Sequence, residues 1–584
     1  MNRLFARGPD GKREDHVRPT ETFAKWVWTQ PRTIRASLAM ILVASLLLNT
    51  IGIRWGLPND NRTWSADALQ PLAPMAVGRH VLFGDEWNSG WFYFKYPVGH
   101  PLVLLAAQAP LLAAMWVRGE LRKPQSQYPF GFKNPEQSLS QLAVSMRFVT
   151  ALMGTAVVFL AFCTAALLLA SPWAGIWAAL TTGGLYPLVF YSHTSNVDVP
   201  LLFWLALCCC ATLWSARKDS RAASAVAGLA AAMALLTKEQ GVGFLVAMPV
   251  VWLLAAYDWQ GRVSWQQVRQ HALLAGVVFL VTTAVVANVL WNPSGYFNRW
   301  RFLAGTLPPE IQEKYAPYRF LTHVPQAFSL GREGAKIQKA LAMVGHSLTP
   351  IVAAAALVGT LIWLRLRWRA LLSLGVIPVC YYAASLRALE LVQLRYVLPL
   401  TYVAALLVGG IGALVERRRS SLLLWLLPLW GIMALAPGVE TVRLLLKDPR
   451  YVAEAWLAAH WPKQGVRVEI YQPLTYLPRF PANWVVDKVS LRDRTKELFL
   501  QRAPDLVVLS SAGRAGLTGT YRRDWRPGEP FFSESSQARE LFRALAAGEL
   551  GYELGAQFAT PSWLETRIPS LNPTISVYRR KGGP

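Results

Sequence analysis

From residue 36 onward the chain alternates long apolar runs with short polar breaks. The runs cover 36–54, 148–170, 172–191, 198–214, 223–237, 241–257, 271–290, 348–364, 369–386, 396–415 and 421–436. A helix needs about 20 apolar residues to cross the hydrocarbon core, so these eleven runs predict a bundle of about 11 transmembrane helices. A twelfth run, 102–117, is shorter and carries Pro110. It reads as a half-buried interfacial helix within the first outer loop.

Beyond about residue 437 the pattern changes to that of a soluble unit. Stretches of helical periodicity near 447–461 and 533–549 alternate with the β-branched runs 466–471, 505–511 and 574–578. This predicts a small C-terminal α/β domain over 437–584. No glycine-rich phosphate loop opens a helix after any of these strands, which argues against a nucleotide site there. A structural or acceptor-docking appendage is the expected role.

Composition agrees with the membrane reading, since 53% of residues are hydrophobic and only 16% charged. The net charge of +25 does not signal nucleic acid, because the basic residues punctuate the apolar runs in short clusters. Those clusters also set orientation. The segment 1–35 carries eight Lys or Arg, including Arg3, Arg7, Lys12, Arg13 and Arg35, and is too polar for a cleaved signal, so it should stay in the cytoplasm. With eleven spans, Arg217/Lys218/Arg221, Arg262/Arg269, Arg365/Arg367/Arg369 and Arg417/Arg418/Arg419 join it there. The membrane unit is then 36–436, with outer loops 56–147, 192–198 and 291–347, and the C-terminal domain lies on the outer face of the plasma (inner) membrane. Cys163, Cys208, Cys209, Cys210 and Cys380 all fall inside apolar runs and read as small buried hydrophobes.

The outer face gathers the chemistry. Asp60, Asp67, Asp85, Glu86, Lys95 and His100 lie in the first outer loop, which runs through Tyr93-Phe-Lys-Tyr96-Pro-Val-Gly-His100. Asp198 follows Tyr191-Ser-His193-Thr-Ser-Asn196 at the mouth of a helix, Lys238 occupies the turn between two short spans, and Arg395 opens another span. Each has an ordinary explanation: an acid at a helix entry caps it, an interfacial cation snorkels, and a histidine is more often a hydrogen-bonded structural group. Their convergence on one face is what points to function. Ionisable groups near lipid are costly, and carboxylates beside cations suit a reaction that needs a base and releases an anion.

The order of short motifs resembles the GT-C glycosyltransferases that take sugars from polyprenyl-phosphate carriers, in particular the protein O-mannosyltransferase and aminoarabinose transferase branch (glycosyltransferase family 39-like). The resemblance is carried by Gly56-Leu-Pro58 leading to Asp67, Tyr96-Pro97, Arg147, Tyr191-Ser-His193 through Asp198-Val-Pro200, Leu236-Thr-Lys238, and Arg395-Tyr-Val-Leu-Pro399. It spans nearly all of residues 36–415. It implies an inverting transfer, with Asp67 as the first-loop aspartate that acts as base and Asp198 as the second acidic residue, in the next outer loop. It further implies Lys238, Arg395 and, by a looser match, Lys95 as donor-phosphate ligands, leaving His193, Asn196, Tyr96 and His100 as acceptor-contacting or supporting groups. Many members carry an Asp-Glu pair where this chain has Asp67-Ala68, and Ser65-Ala66 replaces the His-Pro of bacterial relatives.

Independently of the family, a carboxylate can take the proton of an attacking hydroxyl in the transition state, and cations stabilise a departing phosphate. A divalent cation (Mg or Mn) on Asp67 and Asp198 stays open, although two carboxylates without a third donor are thin support. The expected partners are a polyprenyl-phosphate-linked sugar, a hydroxyl acceptor on protein, lipid or glycan, and the bilayer, with no nucleic acid. The alternative is a transporter or flippase of a lipid-linked or anionic substrate. Such proteins usually show paired interrupted helices in two halves, and no such internal symmetry is visible.

Overall fold

The computed structural model describes residues 22–58, 64–65, 68–83, 96–261, 263–306, 329–389, 392–418, 421–461, 465–514 and 536–582. Asp67 and Lys95, with Asp60, Asp85 and Glu86, lie outside the described residues. Within them, nine helical stretches are long and apolar enough to cross a membrane. Eight of these carry nine of the eleven anticipated runs. The stretch Leu330–Tyr381 leaves helical geometry at Thr349 and Arg367 and so contains both 348–364 and 369–386.

The two remaining runs are shorter as helices than as apolar sequence. Residues 172–191 divide at Leu185 into Pro172–Gly184 and Tyr186–Ser192. Pro187, which has no N–H to donate, takes its place in the first turn of the second piece. The run 223–237 becomes Arg221–Leu235, of 15 residues. The ninth long helix is Gly99–Val117, which begins earlier than the interfacial helix anticipated over 102–117 and has 19 residues. Pro101 falls in its first turn, where a missing N–H costs nothing.

Tight reversals let consecutive helices pack against one another. Ala170 and Asp219 close their helices in the left-handed region, and the hydroxyls of Ser171 and Ser220 then cap the next helices by accepting from Ala174 N and Ala223 N. The centre of the bundle is made by Pro135–Leu169, Pro172–Gly184, Asp198–Lys218 and Leu398–Arg418, whose small and apolar side chains are largely buried. The four cysteines Cys163 and Cys208–Cys210 lie in that core as free thiols.

The C-terminal unit contains a five-stranded sheet: β1 (Arg467–Ile470), β2 (Val485–Lys488), β3 (Leu506–Ser510), β4 (Tyr552–Phe558) and β5 (Ile575–Arg580). The spatial order is β2-β1-β3-β5-β4. The first three are parallel, and β5 and β4 complete the sheet antiparallel. Alternation divides its core. Val468, Ile470, Leu506, Val508, Ile575 and Val577 pack on the side of helix Pro449–His460, and Val507, Leu509 and Tyr578 pack on the side of helix Ser536–Ala547.

Candidate active site

Three stitches to backbone bring the loops at one end of the bundle together. The first joins the descending limb of the first loop to the second loop: Leu69 N donates to Ser195 O (3.1 Å) and Ser195 Oγ donates to Leu69 O (2.7 Å). The second joins the entry of helix Gly99–Val117 to the lysine turn, with Gly99 N donating to Leu236 O (2.9 Å). A Cβ on residue 99 would lie 2.8 Å from Leu236 O and Leu236 Cβ, so only glycine allows this approach. The third fixes the end of the first membrane helix. His193 Nε2 meets Ile51 O (2.7 Å), while Arg147 Nη1 donates to Ile53 O (2.8 Å) and Trp55 O (2.7 Å).

Within this frame the second-loop acid is buried and paired. Asn196 Oδ1 accepts from Asp198 N at 3.0 Å, which sets the first residue of helix Asp198–Lys218. Lys238 precedes the short turn Glu239–Gly241 and sends its Nζ to Asp198 Oδ1 at 2.6 Å. The same ammonium sits 4.6 Å from the centre of the Tyr396 ring. Arg395 approaches that ring too, with its guanidinium carbon at 4.9 Å and Nη2 at 3.0 Å from Tyr396 Oη. Tyr381 Oη donates to Tyr396 O at 2.8 Å and holds the turn in place. Two cations therefore share one aromatic ring, and one of them touches a carboxylate.

Several polar groups in this region lack hydrogen bonds among the described residues: Asp198 Oδ2, Asn196 Nδ2 and both ring nitrogens of His100. Buried polar groups are ordinarily satisfied, so unsatisfied ones beside a charged cluster mark positions where a polar ligand would gain most. His100 and Tyr96 are both buried, and Tyr96 packs with Leu69, Leu104 and Val197 in one small cluster. That cluster places the 96–104 segment beside the residue preceding Asp198.

His193 is differently employed. Its Nδ1 meets Val189 O (2.8 Å) and its Nε2 meets Ile51 O, so both ring nitrogens are taken by backbone. It is a strut between the first membrane helix and the loop that precedes Asp198. Tyr396 and Ser195 were not singled out from sequence. An aromatic residue beside Arg395 was the available signal for Tyr396, whereas nothing local marks Ser195. No group of three or more His, Cys, Asp or Glu able to hold a metal occurs among the described residues.

The Gly99 contact carries a direct expectation. Gly99→Ala should destabilise the protein by about 1–3 kcal/mol, because a methyl must displace the Leu236 backbone two residues before Lys238. Thermal unfolding of the purified protein in detergent checks this, and an unchanged midpoint would show that the segment slides freely.

Residues 71–301 match the family model described as dolichyl-phosphate-mannose-protein mannosyltransferase. No curated protein sequence matches the chain. Among solved structures, ArnT from Cupriavidus metallidurans bound to undecaprenyl phosphate aligns at 14% identity and a TM-score of 0.43, over 92% of this chain and 97% of that one. The same ArnT in the apo state aligns at 15% identity and a TM-score of 0.42, over 85% and 97% respectively. The S. cerevisiae protein O-mannosyltransferase Pmt1-Pmt2 complex bound to the sugar donor aligns at 15% identity and a TM-score of 0.31, over 49% of this chain and 38% of that one. Residues 71–301 thus carry the sequence pattern of the dolichyl-phosphate-mannose-protein mannosyltransferases.

Proposed function

We propose that this protein moves a sugar from a polyprenyl-phosphate carrier to a hydroxyl acceptor on the outer face of the plasma (inner) membrane, with inversion at the anomeric carbon. The observation that carries this reading is the cluster of buried Asp198 and Lys238 with half-buried Tyr396 and Arg395 at the mouths of three helices. In it a phosphate would meet two cations. Lys95, outside the described residues, is the third candidate cation for that phosphate.

The steps balance simply. The acceptor oxygen bonds to the anomeric carbon as the bond from that carbon to the phosphate oxygen breaks. The acceptor's proton passes to the Asp67 carboxylate, and the polyprenyl phosphate departs with the bonding pair. Lys238 and Arg395 stabilise the charge that gathers on the leaving group. Asp198 orients Lys238 through Oδ1 and leaves Oδ2 to a donor-sugar or acceptor hydroxyl, as do Asn196 Nδ2 and His100. Supporting the role of Asp67 is the way its neighbours are held. Trp64 and Ser65 are buried on one side, and Leu69 is stitched to Ser195 on the other. A divalent cation on Asp67 and Asp198 would have to share Asp198 with Lys238.

The decisive experiment is donor turnover on purified protein. Polyprenyl-phosphate sugar and a hydroxyl acceptor should yield free polyprenyl phosphate and an inverted glycoside. In cells, deletion should make one sugar-lipid accumulate, detected by mass spectrometry. Donor that crosses the bilayer without being consumed would replace this reading with that of a flippase.

The orientation rests on the same proposal, with 1–35 and the arginine clusters inside and 437–584 outside. In a cysteine-free background, Gln125→Cys should label only from outside and Lys218→Cys only from inside. The reverse pattern, Gln125→Cys labelled from inside and Lys218→Cys from outside, would mean that helix Gly99–Val117 crosses the membrane.

A further inference from the structure

The C-terminal domain meets the membrane unit at a particular place. Asp448 and Arg450, at the start of helix Pro449–His460, form a fully buried ion pair (Arg450 Nη2 to Asp448 Oδ2, 2.6 Å). Asp448 Oδ2 also accepts from Trp55 Nε1 at 2.9 Å. The Arg450 guanidinium lies against two tryptophans, 5.3 Å from the centre of Trp55, just before the first loop, and 4.3 Å from that of Trp64 within it. Arg479 covers Trp64 as well, at 5.0 Å, and donates through Nη1 to Leu57 O at 2.6 Å. The same ring meets Tyr451 edge to face, with centroids 4.7 Å apart, and Tyr451 Oη accepts from Gly56 N at 2.8 Å. Gly56 has φ +69°, and a Cβ there would lie 3.1 Å from Trp64, so the chain can turn under the tryptophan only with glycine.

These contacts are not the adhesive surface of an appendage. They converge on one buried side chain, Trp64, three residues before Asp67 in sequence. Arg450 is itself tied down by Thr475 O (3.0 Å) and Ser570 O (2.7 Å), which belong to the C-terminal domain. Arg479 is held by Glu454 through Nε and Nη2 at 2.7 and 2.6 Å. Planar guanidiniums fixed by carboxylates and carbonyls are rigid platforms for an aromatic ring. On the other side of position 67, Leu69 is bonded to Ser195.

We infer that the C-terminal domain is a positioning element for the transferase, gripping Trp64 between Arg450 and Arg479 so as to fix the segment that carries the first-loop acid. Arg450, Arg479 and Trp64 are positioning residues, since they touch neither donor nor acceptor in this scheme. The inference rests on the transferase reading and on Asp67 as its base.

The test uses the full-length protein. Arg479→Met keeps the aliphatic stem but loses the hold on Glu454 and Leu57, while the sheet core and the Asp198–Lys238 pair remain untouched. The expected result is a fall in kcat of about 10- to 100-fold, the scale of a small misplacement of a reacting group. Donor affinity should be unchanged, and amide exchange should be faster in the peptide spanning 56–70. Trp64→Phe, which keeps a ring of smaller area, should give an intermediate kcat. Unchanged exchange in Arg479→Met would overturn the grip, and freed exchange with normal kcat would overturn its bearing on transfer. A parallel loss of donor binding would show general damage and overturn it too. If Asp67→Asn turns over normally the assignment of the base fails, yet the exchange measurement still decides whether the domain holds this segment.

Discussion

Replacing Asp67 by Asn should lower sugar transfer at least ~100-fold, the usual scale for removal of a general base, with donor binding retained. Asparagine keeps the size and hydrogen bonding of the side chain but cannot take a proton. An attacking hydroxyl becomes acidic only as its bond to the anomeric carbon forms, so the loss appears in the transition state and not in ground-state binding. Asp60 and Asp85 share the loop and provide the controls. Asp67 is flanked at short range by held residues, with buried Trp64 and Ser65 before it and the Leu69–Ser195 exchange after it. Near-normal turnover in Asp67→Asn, with loss in Asp60→Asn or Asp85→Asn, would move the base elsewhere in the loop. The substitution has a further use here, because many members of the family that the motifs resemble carry Asp-Glu where this chain has Asp67-Ala68. A chain that keeps full dependence on the aspartate works without the second carboxylate.

The membrane layout was legible because lipid imposes a strong, local pattern. Every apolar run falls on helix, since a backbone in hydrocarbon has no other way to satisfy its N–H and C=O groups. Boundaries were less legible. Tyr96-Pro-Val-Gly-His-Pro101 reads as a broken segment, yet the helix starts at Gly99 because Pro101 is tolerated in a first turn. In the C-terminal domain, β3 is buried along its whole length and stood out, whereas β2 has no buried residue and β4 only Tyr552, and they did not. Helix Lys496–Arg502, of seven residues, is too short to show a period. The candidate site shows the same division. Asp198, Lys238 and Arg395 are visible singly as charges near lipid. Their contacts are not, because Lys238 meets Asp198 across 40 positions, and Ser195 meets Leu69 across 126. The C-terminal grip on Trp64 was equally invisible, since nothing local in Trp55, Trp64 or Arg450 distinguishes a junction from an interfacial belt.

The contact between Lys238 and Asp198 alters what a simple neutralisation of the lysine means. The pair is 2.6 Å apart, with side chains 10% and 2% exposed. Removing one partner of such a pair leaves an uncompensated buried charge, at a cost of about 3–5 kcal/mol. Lys238→Met should therefore lose stability as well as turnover, and that variant alone does not separate a phosphate ligand from a structural cation. Two further variants do. In Asp198→Asn the lysine loses its carboxylate and is freer to meet a phosphate, so donor affinity should persist or rise. In the double variant Asp198→Asn/Lys238→Met no net charge is buried, so much of the lost stability should return, while donor affinity stays low because the charge-assisted contact is gone. Turnover should be low in all three, since the leaving group's charge grows in the transition state and has lost one of its stabilising cations or the acid that orients it. Arg395→Met supplies the parallel arm. Its guanidinium donates to Tyr396 Oη beside Lys238, so donor affinity should fall when it is removed. Donor binding measured directly on the folded variants decides the matter. If the double variant and Arg395→Met both bind polyprenyl-phosphate sugar as tightly as the unaltered protein, these cations hold helices together, and the phosphate must be met elsewhere.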